Sequence, residues 1–161
     1  MTKTFALIAA LLLGGTAGAH ELTVGDLQFI HPHIPQPAAT AQVAGGYLAI
    51  SNAGAQADRL MGVSSKIAKS VSLHQSRVDA NGVASMSPVA ALEIPAGETV
   101  LLEPGGYHIM FMGLTGRFSE GDMLPVTLTF EKAGAIEMGF MVDPAGGTAM
   151  EHDHDRTMPG P

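Results

Sequence analysis

"PGGYHIMFMGL", Pro104–Leu114, is the stretch on which the reading of the chain turns. Side chains on a β-strand alternate between two faces. Tyr107, Ile109 and Phe111 therefore share one face, and it is apolar enough to pack a core. His108, Met110 and Met112 share the other. Pro104, Gly105 and Gly106 ahead of them read as a turn. The pattern predicts a strand with a core side and a second side bearing imidazole and thioether.

The same alternation, or a short apolar run between turn residues, recurs along the chain. Candidate strands fall at 22–30, 45–52, 58–65, 70–75, 82–86, 98–103, 107–113, 124–131 and 135–142. Turn clusters separate them: "HPHIPQPA", "NAGAQA", "DANG", "PAGE", "PGG", "SEGD" and "KAG". Helical periodicity is poor, and "SSKIAKS" has room for one helical turn at most. The expected fold is all-β, a Greek-key sandwich or barrel.

The chain has 161 residues, enough for one domain. Residues 1–19 read as a signal peptide: Lys3, then the apolar run Phe5–Leu13, then small residues with Ala17 and Ala19 in the A-x-A arrangement. That run is too short to span a bilayer, which takes about 20 apolar residues. Cleavage after Ala19 leaves a domain over 20–143 and a tail, 144–161, rich in Gly, Pro and charge, which is expected to be flexible. The product is expected to be exported and periplasmic, without membrane insertion.

Eight Lys/Arg against fifteen Asp/Glu give a formal net charge of −7, which argues against nucleic acid and anionic lipid as partners. There is no cysteine. A disulfide, a thiolate nucleophile and a blue-copper site are all excluded. No G-x-S-x-G, H-E-x-x-H or G-x-x-x-x-G-K motif is present, so an enzyme is not expected.

His108 and Met110 form a two-ligand arm. Thioether sulfur selects Cu(I), and imidazole also suits copper; Ca²⁺ and Mg²⁺ want oxygen ligands. The bland alternative is a gap-filling Met and a solvated His, so a metal reading needs a second arm. His74, ending "SVSLHQ", and Met86, beyond the "DANG" hairpin, are the candidates.

With these residues, the chain resembles the periplasmic copper chaperone family called PCu(A)C over most of 22–142. The likeness rests on "VSLHQ", "DANGVASMSPV", "LEIPAGETVLLEPGGYHIMFMGL" and "EGDMLPVTLTFEKAG". The family pattern of His, Met beyond a hairpin, then H-x-M falls on His74, Met86, His108 and Met110. The resemblance implies a cupredoxin-like Greek-key β-sandwich holding Cu(I) in a shallow surface site. It also implies delivery of copper to a respiratory oxidase subunit or another copper chaperone, by a monomer. Three departures stand out. Gln75 and Ala84 occupy positions where the family often has Met, and His33-Ile34-Pro35 replaces a common Trp-x-Arg.

Other histidines are weaker candidates. In the tail, Met150, His152, His154 and Met158 lie among acidic residues and form a candidate second site suited to Cu(II); a solubilising acidic tail is the alternative. His20, as a new N-terminus, offers α-amine and ring nitrogen to Cu(II), as an exported copper enzyme with a histidine brace would. An arbitrary first residue is the simpler account. "HPHIPQP", His31–Pro37, reads as a rigid extended loop whose two histidines bind metal weakly, if at all. A β-sandwich binding module without metal is the remaining alternative.

Overall fold

The computed structural model describes residues 21–146, and among them every regular element is a strand. The strands are β1 (Glu21–Val24), β2 (Leu27–Pro35), β3 (Val43–Asn52), β4 (Asp58–Ser64), β5 (Ala68–Val78), β6 (Ala84–Pro88), β7 (Leu92–Ile94), β8 (Thr99–Leu102), β9 (Tyr107–Leu114), β10 (Met123–Phe130) and β11 (Gly134–Asp143). They are hydrogen-bonded in the order β6-β5-β9-β8-β3-β2-β11-β10-β4-β7, with β1 on β2 and β9 also on β3. This is the all-β sandwich that the alternation predicted. Its core is built from the inward residues of both halves, with Phe29, Ile34, Ile50, Leu60, Ile94, Ile109, Phe111, Val126, Leu128, Phe140 and Val142 sealed from solvent. Each such side chain contributes about 1.5–3 kcal/mol relative to exposure.

Strand β9 owes its position to the turn before it. Strands β8 and β9 both run antiparallel to β3 and share its edge, Leu102 opposite Leu48 and Ile109 opposite Gly46. Residues 103–106 leave that line as a jog, with Gly105 at φ 83°, a conformation glycine adopts without a Cβ penalty. The Gly106 carbonyl accepts the Ser76 N–H at 3.0 Å. The jog is thereby fastened to β5, along which β9 then pairs from Gln75↔Tyr107 to Ala68↔Leu114.

Two expectations are corrected here. Residues 22–30 are not one strand, because Gly25 (φ 59°) and Asp26 turn the chain into the β1–β2 hairpin. The "HPHIPQPA" stretch is not a loop throughout, since His31–Pro35 belong to β2. A register shift lies between Ile30 and His33, and His31 has φ 49°. One extra residue reverses the alternation, so that Phe29 before the bulge and Ile34 after it both face the core. The three-residue strand β7 had escaped the alternation pattern altogether, being too short to show a period.

Asp58, buried at the start of β4, ties that strand to the β10–β11 turn. Its Oδ1 accepts the N–H groups of Arg59 (2.7 Å) and Lys132 (2.9 Å), and Oδ2 accepts that of Ala133 (2.9 Å). Burial alone would push this carboxyl up. The three backbone N–H groups and the Lys132 charge outweigh it and hold the pKa below the usual carboxylate range.

Candidate metal centre

His74 on β5 and His108 on β9 are paired directly across the sheet. Directly opposed residues point to the same side, and the two rings lie 6.0 Å apart, centroid to centroid. Two residues beyond His108, Met110 stands opposite Ser72; two beyond His74, Ser76 stands opposite Met86 on β6. By the two-residue period all four candidates, His74, Met86, His108 and Met110, share the outer face of β6-β5-β9. The opposite face of β9 carries Ile109 and Phe111, both fully buried.

The outer face is not open over its whole width. His108 is only 7% exposed, while Met86 is 49% exposed. Edge strand β6 brings the Met86 sulfur over the imidazole, with Sδ 3.2 Å from His108 Nε2. His108 Nδ1 lies 3.1 Å from the Gly106 carbonyl oxygen. With Nδ1–H donating there, the Nε2 lone pair faces the sulfur. A nitrogen and a sulfur donor at that separation subtend roughly 95–100° at one ion held about 2.0 Å from nitrogen and about 2.3 Å from sulfur.

His74 supplies a second sign. Its Nε2 is 2.9 Å from Ser72 Oγ. Its Nδ1 is buried and has no hydrogen-bond partner among the described residues. Buried polar atoms are nearly always paired, so an unpaired ring nitrogen on the face that also carries His108 and Met86 fits a metal-ligand position. Nε2–H donation to Ser72 leaves the lone pair on Nδ1, the atom without a partner.

Two contributors were missed in the sequence: Ser72, which fixes the His74 ring, and the Gly106 carbonyl, which fixes His108. Ser72 lies two residues before His74, and the same alternation that places the ligands points to it. The Gly106 carbonyl had no signal beyond the PGG turn. Met112, on the same face, lies opposite Val43 and Ser70, along the strand from the cluster. His20, Met150, His152, His154 and Met158 lie outside the described residues.

Glycine keeps this face clear. Gly45 on β3 lies opposite Met110, and a methyl group there would sit 2.5 Å from the Tyr47 hydroxyl oxygen. The Tyr47 ring thus lies over Gly45, next to Met110 on the same surface. Its burial raises the phenol pKa above the usual range, so it stays neutral.

Fold and geometry define an all-β domain with two imidazoles and two thioethers on one outer face, and solved structures of PCuAC domains are similar to this chain. The copper-bound PCuAC domain from PmoF2 aligns with a TM-score of 0.67 at 28% identity, over 78% of this chain and 98% of that domain. The apo PCuAC domain from PmoF1 gives 0.67 at 29%, over 78% and 99%. The solution structure of CuI-DR1885 from Deinococcus radiodurans gives 0.58 at 26%, over 79% and 83%. A protein of Leifsonia xyli subsp. xyli (strain CTCB07), Lxx21020, whose name describes a lipoprotein, is 33% identical over 145 residues, 81% of this chain and 86% of that protein. The LpqE-like family model, likewise described as that of a lipoprotein, matches residues 27–142. The chain belongs to the LpqE-like family.

Proposed function

We propose that this protein is an exported copper chaperone that binds Cu(I) through His74, Met86, His108 and Met110 and passes it on. The observation that carries the reading is the geometry around His108: Met86 Sδ at 3.2 Å, His74 directly across the sheet with an unpaired Nδ1, and Met110 one period along the strand. Two of the similar structures are described as copper-bound, which supports copper as the cargo. Neutral sulfur and nitrogen donors suit Cu(I) and discriminate against Ca²⁺ and Mg²⁺.

The arrangement suits transfer rather than turnover of a substrate. His108 and His74 sit on paired inner strands, whereas Met86 sits half-exposed on an edge strand of five exposed residues. Met86 is the ligand an acceptor reaches first. Replacing it with an acceptor sulfur moves the ion without ever leaving it in water. Val78 and Val83, 70% and 59% exposed at the tip of the same hairpin, extend an apolar edge beside it for docking. The acceptor is a copper-binding subunit of a respiratory oxidase or another copper chaperone, met in the periplasm after removal of residues 1–19. The tail residues Met150, His152, His154 and Met158 provide a further element for Cu(II).

Anaerobic competition of the full-length exported protein against a Cu(I)-specific chelator tests this. One equivalent of Cu(I) is retained, and Met86→Ala and Met110→Ala each weaken retention at least tenfold with the fold intact. Retention unchanged in both variants would remove the proposed site.

A further inference from the structure

A second group of ligating side chains lies on β2 and β11, apart from His74 and His108. His31, the extra residue of the β2 bulge, is the one non-glycine residue with positive φ among those described. Bulges re-aim side chains, and a residue held in this region persists where its surroundings impose it. The bulge brings the His31 ring to 4.4 Å from that of His33, tilted by 37°, and sets His31 Nε2 at 2.8 Å from Asp143 Oδ2. One ligand atom from each of His31, His33 and Asp143 lies within 4.8 Å of the other two. His33 Nδ1 is 2.9 Å from the His31 carbonyl oxygen. Donation of Nδ1–H there fixes the tautomer and leaves Nε2 as a lone-pair donor, the arrangement in which metal-binding histidines are usually held.

A lone His–Asp hydrogen bond accounts for two of these residues. It accounts neither for the His33 tautomer nor for the backbone of His31.

We propose that His31, His33 and Asp143 form a second metal site, which takes a divalent transition ion, Cu(II) ahead of Zn(II). Two imidazoles and a carboxylate are borderline donors with no soft sulfur among them. Donor atoms 2.8 Å apart and each about 2.0 Å from one ion subtend roughly 90°, the cis angle of the tetragonal geometry Cu(II) favours. The affinity order of divalent ions points the same way. On binding, the His31 proton moves to Nδ1, and Nε2 and the carboxylate turn to the ion. The Tyr47 ring, 5.6 Å from that of His33, walls this side of the site.

The position relates the two sites. His33 is paired with Tyr47 on β3, and Gly45, two residues earlier, with Met110 on β9. The β2 site and the Met/His site therefore share one outer face, with the Tyr47 ring between them.

The test uses full-length exported protein already loaded with one equivalent of Cu(I), to which Cu(II) or Zn(II) is added. The first equivalent of Cu(II) is expected to broaden the amide NMR signals of Tyr47 and Met141, the β3 and β11 partners of His33, and to show nitrogen couplings by electron paramagnetic resonance. Zn(II) is expected to shift the His31 and His33 ring signals at higher concentration. His33→Asn should abolish these changes and weaken Cu(II) binding at least tenfold; Asp143→Asn serves as a second variant should the first fail to fold. Met86→Ala/Met110→Ala should lose Cu(I) but leave Cu(II) binding as it was, so Cu(I) retained in that variant counts against the chaperone reading and not this one. Signals of Tyr47 and Met141 that stay sharp, or Cu(II) affinity unchanged in both β2/β11 variants, would overturn the proposal and place the ion on other histidines.

Discussion

His74 presents the residue-scale question of how an imidazole is kept ready for an ion. A buried nitrogen without a partner is costly, by about 1–3 kcal/mol whether it is a donor or an acceptor, and a lone pair held there is satisfied when an ion binds. Ser72 Oγ holds Nε2 at 2.9 Å, and when Nε2–H donates to it the lone pair is left on Nδ1. Ser72→Ala is expected to release the tautomer and to lower Cu(I) affinity about tenfold, near the low end of effects seen for groups that orient metal ligands. A chelator competition titration checks it, and Ser72→Thr, which keeps the hydroxyl, should recover most of the loss. The ligand identities were legible in the sequence because "HIMFM" alternates and a two-residue period needs no tertiary information. The tautomers were not. They depend on Ser72 Oγ and on the Gly106 carbonyl, whose approach is set by the jog at 103–106.

At the scale of elements, the sheet is held in register by a few polar ties. Asp58 joins β4 to the β10–β11 turn through three backbone N–H groups. Its pKa is depressed in the folded state, so its contribution is complete above the unfolded carboxylate value, about 3.9, and is lost as pH falls through the lower folded one. Asp58→Asn keeps one acceptor oxygen and turns an amide toward a backbone N–H. It is expected to cost about 2 kcal/mol at neutral pH, and the difference from the parent protein should shrink as the pH drops below about 4. Urea denaturation at the two pH values measures it. The bulge at His31 shows where element-level reading stops. Two prolines within five residues read as a loop, yet the parallel pairing of His33–Pro35 with Met141–Asp143 recruits the segment into β2. Asp143 lies 112 residues from His31, a distance no local pattern bridges.

For the molecule as a whole, the metal face and the core are two sides of the same strands. Phe111, fully buried, packs its ring 6.5 Å from that of Phe140, directly behind the outer face that carries Met110 and Met112. Phe111→Ala is expected to cost about 3–5 kcal/mol, read as a lower midpoint of chemical denaturation, and to weaken Cu(I) binding although it touches no ligand. The all-β class and most strands followed from alternation. The order in which they associate did not, because β8 and β9 share one edge of β3 only through the inserted PGG jog.

X-ray absorption at the copper edge, on protein loaded anaerobically with one equivalent of Cu(I), tests the central claim most directly. Two sulfur and two nitrogen neighbours are expected, with one sulfur lost in Met86→Ala and one in Met110→Ala. A first shell of nitrogen and oxygen alone would contradict the account.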